Sequence, residues 1–254
     1  LSFGWEIFIA LIIGFVGGYT GIAGAPFIIF SLVSFLGYSQ HAAQGTVLAM
    51  MLGPMTILPV IYGWEIVRRR IKEILIAVTA YLAFSFAGAE IAYLINSPQL
   101  KLVFGIFIAI LGIAYLFFSF KNLGNARSAK KSLSPILMAL VGALMGVVGG
   151  IAGIGAGILL IPILTIGLGI EQREAQIMSL AILLPPVSLG AVFKYGLLES
   201  DIAWPVAGLM LVAYAITSGL GYRFSLKHKT IVVRVVLSTL LITVGIINII
   251  YYSS

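Results

Sequence analysis

Two glutamines, two glycine-rich runs and a few ionisable side chains carry the chemistry available to this sequence. Gln44 and Gln176 each lie just inside a long apolar stretch, where an amide is costly unless it finds partners. Each amide can donate to the oxygens of an anion, or it can bond a neighbouring helix. Thr46 and Ser179 lie within a turn of them and add hydroxyls. The glycine-rich runs reach through Gly21, Ile22, Ala23, Gly24, Ala25 and Pro26, and through Gly153, Ile154, Gly155, Ala156 and Gly157. Glycine at this density disfavours a continuous helix by about 1 kcal/mol per site relative to alanine. Pro26 suits the first turn of a new helix, so a helix is expected to restart near Ala25. The N–H groups and the positive dipole end of that terminus would form an anion site. Close helix packing is the competing reading of both glycine runs.

Three further side chains are candidates for gating or coupling. His41 and Arg173 occupy matching places ahead of the two glutamines. Either can draw an anion to a mouth, and His41 can also carry a proton. Arg173 has Glu171 and Glu174 beside it, so an interfacial salt bridge is its alternative role. Glu90 lies well inside an apolar stretch and is a candidate proton carrier, or else a hydrogen-bonded or interfacial carboxyl. The chain has no cysteine and two histidines. No thiol nucleophile, His/Cys metal cluster or phosphate-binding loop can be assembled, so neither an enzyme nor a cofactor is expected.

The elements that position these residues must lie in lipid. Hydrophobic residues make up 61% of the 254, and charged residues 9%. A soluble domain has about a quarter of its residues charged. Apolar stretches fall at about 3–36, 42–62, 74–95, 99–120, 134–170, 175–195, 203–222 and 232–252, all expected to be helical. The net charge of +7 is topogenic and does not indicate nucleic-acid binding.

The two glycine runs belong to an internal repeat. Gly14 to Pro54 aligns without a gap on Gly146 to Pro186, pairing Gln40 with Gln172, Gln44 with Gln176 and Pro54 with Pro186. A one-residue shift then pairs Tyr62-Gly63 with Tyr195-Gly196 and Gly88 with Gly221. Three basic clusters, Arg68 to Lys72, Lys121 to Lys131 and Arg223 to Arg234, are placed in the cytoplasm by the positive-inside rule. Parity then requires that 3–36 and 134–170 each reverse direction, and both termini fall outside. The expected fold is an all-α polytopic membrane protein of two inverted-topology repeats. Each repeat has a glycine-broken hairpin followed by three transmembrane helices. Residues 1–122 form the first, 123–133 a basic cytoplasmic linker, and 134–254 the second.

The paired glycine blocks at 17–26 and 149–157, with A-A-Q-G-T at 42–46, A-Q-I-M-S-L at 175–180 and the Tyr-Gly turns, resemble the TauE/SafE-type sulfite exporters. These are also called the toluene sulfonate uptake permease family. The resemblance implies a prokaryotic inner-membrane transporter of small anions, often sulfite or organosulfonates, driven by protons or membrane potential without ATP. Read together, the residues and the resemblance give a secondary transporter in which both breaks meet near the membrane middle. An anion channel, or a non-transporting membrane assembly partner, are the alternative functions.

Overall fold

The computed structural model describes residues 4–21, 24–120, 133–153 and 157–252. Ile22, Ala23, Ile154, Gly155, Ala156 and almost all of the expected linker lie outside the described residues. Every regular element among those described is helical. The first half contains α1 (Gly4–Thr20), α2 (Ala25–Leu36), α3 (Gln40–Met50), α4 (Ile57–Tyr62), α5 (Trp64–Arg69), α6 (Ile71–Tyr93) and α7 (Ser97–Phe120). The second contains α8 (Pro135–Ala152), α9 (Gly157–Pro162), α10 (Gln172–Ile182), α11 (Leu189–Val192), α12 (Trp204–Ser225) and α13 (Thr230–Tyr252). π-helical turns extend α9 over Ile163–Gly167 and α11 over Phe193–Leu198. Among the described residues, five helices are long and apolar enough to cross a membrane: α6, α7, α8, α12 and α13. The protein is a polytopic membrane protein.

Local chemistry sets the helix ends. At the end of α1, Gly21 takes φ +82° and its N–H donates to Gly17 O. Gly153 does the same after α8, at φ +67° and onto Gly149 O. Gly24, at φ +65°, precedes α2, which restarts at Ala25 with Pro26 in its first turn. Gly37 and Gly169, at φ +73° and +68°, close the second arms. All five positions favour glycine because the left-handed region penalises a Cβ. The Ser39 hydroxyl then caps α3 by accepting from Ala42 N–H at 3.0 Å.

Two expected helices are not continuous. The segment 42–62 is interrupted between α3 and α4, at 51–56, and 175–195 between α10 and α11, at 183–188. Pro54 and Pro185-Pro186 sit in these interruptions, where proline removes a backbone donor and clashes with the preceding turn. Each interruption is tied to the other half by a buried hydroxyl. Thr56 donates to Leu180 O, and its counterpart Ser188 donates to Leu48 O, both at 2.9 Å.

The tightest helix pairs cross between the halves. The three most extensive contacts are α6 with α8, α1 with α12, and α7 with α13. Glycine lets the backbones meet at these crossings. Along α1 and α12, Gly14 abuts Tyr214, Gly18 abuts Ser218, and Gly221 abuts Phe15. Along α8 and α6, Gly146 abuts Tyr81, Gly150 abuts Ser85, and Gly88 abuts Val147. These two sets are the same contacts read through the repeat, and both helix pairs run parallel. In the third pair Gly112 packs on Ile242 and Gly105 on Asn248, so the counterpart helices α7 and α13 run antiparallel.

A buried ion cluster pins α10 against the α5–α6 junction. Arg70 Nε donates to Glu174 Oε1 at 2.7 Å, and its Nη1 lies 3.3 Å from Glu73 Oε1. Arg69 also reaches Glu174, at 3.3 Å. Burial works against the Arg70 charge, but the two carboxylates outweigh it and raise its pKa above the usual arginine value.

Candidate functional site

Each glycine break is seated on the glutamine of the opposite half. A Cβ at Gly21 would overlap the Gln176 side chain, so this glycine is needed for room as well as for φ. Gln176 Nε2 donates to Tyr19 O at 3.3 Å, in the last turn of α1. At the second break, a Cβ on Gly153 would lie 2.6 Å from Gln44 Cβ and Cγ. The sequence placed Gln44 beside the first break and Gln176 beside the second, and the fold exchanges them.

At the first break the available donors can be counted. Pro26 has no N–H, and the N–H groups of Phe27 and Ile28 return to Gly24 O at 3.0 and 3.2 Å. Within α2 that leaves Gly24 and Ala25 as the donors at the helix end. Both are buried. The site therefore holds neutral donors: backbone N–H groups and an amide. Ser179 supports the second break, since its hydroxyl donates to Gly157 O at 3.3 Å. Thr46 faces elsewhere: its hydroxyl accepts from Ala203 N–H at 3.1 Å, at the start of α12.

The two glutamines differ in what lies over them. Tyr195 covers Gln44. Its hydroxyl donates to Gln44 Oε1 at 2.9 Å, while Gln44 Nε2 is buried with no partner. Tyr195 is fully buried and packs edge-on against Tyr93 with ring centres 4.9 Å apart. Tyr93 in turn donates to Asp201 Oδ2 at 2.7 Å and has His41 stacked on its ring at 4.6 Å. Gln44 also borders an apolar cavity of about 150 Å³, shared with residues of α7 and α8.

Tyr62, the counterpart of Tyr195, does not cover Gln176. It is exposed, stacked on Tyr222 at 6.3 Å, with the Arg223 guanidinium 4.4 Å over its ring. Gln176 instead borders a polar pocket with Gln172, Arg173, Ser225 and His228. Arg173 also lines a neighbouring pocket of about 360 Å³ with Tyr62, Glu65 and Tyr222. Its expected neighbour Glu174 is turned inward to Arg70. Behind it, Arg234 donates twice to Gln172 Oε1, at 2.8 and 3.0 Å. Glu90 lies apart from the breaks, its carboxylate half exposed and 3.2 Å from Lys194 Nζ. Lys194 also reaches Glu199, at 3.0 Å.

Thus Gly21, Gly24, Ala25, Pro26 and Gln176 come together at one break, and Gly153, Gly157, Gln44 and Ser179 at the other. Arg173 shares the pocket that Gln176 borders, His41 stacks on Tyr93, and Thr46 and Glu90 are not brought to either break. Sequence reasoning missed Tyr195, although its pairing with Tyr62 was visible in the repeat. It also missed Tyr81 and Tyr214, which fall in the same shifted register as Gly88 and Gly221.

No curated protein and no solved structure matches the chain. A family model described as sulfite exporter TauE/SafE matches residues 7–247, covering both glycine breaks and both glutamines. That is a family of membrane transporters, in keeping with a helical chain whose candidate site holds donors for an anion. The chain belongs to the TauE/SafE sulfite exporter family.

Proposed function

We propose that the protein is a secondary carrier of a small sulfur-containing anion, sulfite or an organosulfonate, working by alternating access between two inverted repeats. The observation that carries this is the unequal state of two equivalent places. Gln44 is sealed under Tyr195, while Gln176 faces a polar pocket with Tyr62 turned away. In a carrier built from inverted repeats, the two halves exchange conformations, and the exchange opens one side as it closes the other. The second state would therefore have Tyr62 over Gln176 and Tyr195 released.

The inversion is supported by α7 and α13. Counterpart spans that pack antiparallel along their lengths must cross the bilayer in opposite senses. The arms after the breaks support a re-entrant placement. At about 1.5 Å per residue, the 12 residues of α2 reach about 18 Å, against about 30 Å of hydrocarbon. The bodies that rock are not the sequence halves, because each half's first arm is bound to the other half. One body contains α1 with α12, and the other α8 with α6.

Arg173 at the open mouth would attract the anion, and the neutral donors of the breaks would bind its oxygens. Protons or the membrane potential would drive movement, with His41 and Glu90 the side chains placed to couple it. The basic loops would face the cytoplasm of a prokaryotic inner membrane, with both termini outside.

Counterflow in proteoliposomes tests the carrier. Internal unlabelled sulfite should accelerate entry of labelled sulfite, and Gln44→Ala with Gln176→Ala should abolish the exchange. Current without counterflow would overturn the carrier in favour of a channel.

A further inference from the structure

Two buried tyrosine hydroxyls have no hydrogen-bond partner among the described residues, and the repeat relates them. Tyr214 is 0% exposed and Tyr81 is 1% exposed. Leaving a buried hydroxyl unmade costs about 1–3 kcal/mol, which phenylalanine would avoid. The same unmade group nevertheless occurs in both halves, each time in the setting Ala-Tyr-x-x-x-Ser-x-x-Gly, at 80–88 and 213–221.

The surroundings of Tyr214 show where its hydroxyl is aimed. Its ring enters the hairpin between α1 and α2. A Cβ on Gly17 would overlap the Tyr214 hydroxyl and sit 3.1 Å from the Gly24 nitrogen. A Cβ on Gly24 would lie 3.3 Å from Tyr214 Cε2. The hydroxyl therefore lies inside the break, beside the amide end of a 12-residue helix. Tyr81 holds the counterpart place on α8, its carbonyl against Gly146 as that of Tyr214 is against Gly14. The second break also contains the unpartnered Nε2 of Gln44.

We propose that the Tyr214 and Tyr81 hydroxyls are hydrogen-bond donors to the transported oxyanion, one at each break. This rests on the carrier reading above. A hydroxyl, an amide and backbone N–H groups together form a set of neutral donors. Such a set takes a deprotonated sulfur oxyanion, whose oxygens only accept. Gly17 leaves the space that the Tyr214 hydroxyl occupies, while Gly14 and Gly18 let the α12 backbone approach α1. Each tyrosine comes from the half opposite to the break it serves, as each glutamine does, so binding would tie both halves to one anion.

The test uses the purified full-length protein in nanodiscs, with sulfite, thiosulfate and methanesulfonate as probes. Affinity is read by calorimetry and folding by thermal unfolding. Tyr214→Phe and Tyr81→Phe should keep or raise the unfolding temperature, because an unmade polar group is removed. Each should weaken binding of the preferred probe by about 10-fold or more, the effect of one hydrogen bond to a charged group. Unchanged affinity would overturn the proposal, and would show that the hydroxyls serve only packing or a buried water. A clear fall in unfolding temperature would overturn it too, since the hydroxyl would then have a structural partner. If the unaltered protein binds none of the three probes, both this proposal and the carrier reading fail. If it binds one and the tyrosine variants bind it equally, this proposal alone fails.

Discussion

Replacing Tyr195 by phenylalanine isolates a single latch. The ring remains, with its edge-on packing against Tyr93 at 4.9 Å, and only the hydroxyl is lost. That hydroxyl makes one good bond, to Gln44 Oε1 at 2.9 Å, and a marginal one to Gly150 O at 3.4 Å. A neutral hydrogen bond contributes about 0.5–1.5 kcal/mol net, and 1.4 kcal/mol is tenfold in an equilibrium. The state in which Gln44 is uncovered should therefore rise about 2- to 10-fold in population. The cysteine-free chain allows a clean readout. Ala152 lines the cavity beside Gln44 and is 7% exposed. With Ala152→Cys as reporter, the labelling rate by a hydrophilic maleimide follows the uncovered population while that state is minor. Tyr195→Phe should raise the rate by the same 2- to 10-fold. Tyr62→Phe should not, because Tyr62 is exposed and turned away from Gln176. An unchanged rate in Tyr195→Phe, or an equal rise in both variants, would refute the latch.

Three further outcomes are expected. Gly153→Ala and Gly169→Ala both force a Cβ into the left-handed region, at φ +67° and +68°, costing about 1–2 kcal/mol each. Gly169 has open space around it while Gly153 faces Gln44, so Gly153→Ala should lower the unfolding temperature further and alone impair transport; equal losses would contradict the seating of Gln44 on the break. Arg70→Met leaves Glu174, 2% exposed, with the longer 3.3 Å contact from the exposed Arg69, and should cost about 3 kcal/mol of stability, with Arg70→Met/Glu174→Met recovering part of it. A double variant no more stable than the single would sink the buried-charge account. Glu90→Gln breaks a half-exposed pair and should change stability by less than about 1 kcal/mol. It should also flatten the pH dependence of sulfite exchange, and an unaltered profile would remove Glu90 from coupling.

Much of the framework was legible because lipid leaves the backbone few choices. Composition required helices, and the glycine runs marked the ends of α1 and α8. Pro26 marked the restart at Ala25. The interruptions at 51–56 and 183–188 were signalled by Pro54 and Pro186, yet they were read only as landmarks of the repeat. Hydropathy does not fall where a membrane helix breaks inside protein, so an apolar window passes over the gap. Glu90 was left open in the sequence between a proton carrier and a hydrogen-bonded or interfacial carboxyl, and Lys194, the partner that lies beside it, is distant in sequence.

Two related halves, their glycine breaks and the two glutamines can be read from the order of residues. Those depend on local backbone preference and on repetition, which are written residue by residue. Which break meets which glutamine follows from how the helices dock. Gly21 faces Gln176 and Gly153 faces Gln44 because α1 docks on α12 and α8 on α6, through glycine faces that match across the halves. The fold also brings the Tyr214 ring to the first break, where it reaches Gly17 from nearly 200 positions away. The same crossing separates Tyr195, closed on its glutamine, from Tyr62, which is not. Equivalent sequences take up unequal positions there, because Tyr195 finds Gln44 as its partner while Tyr62 stacks on Tyr222.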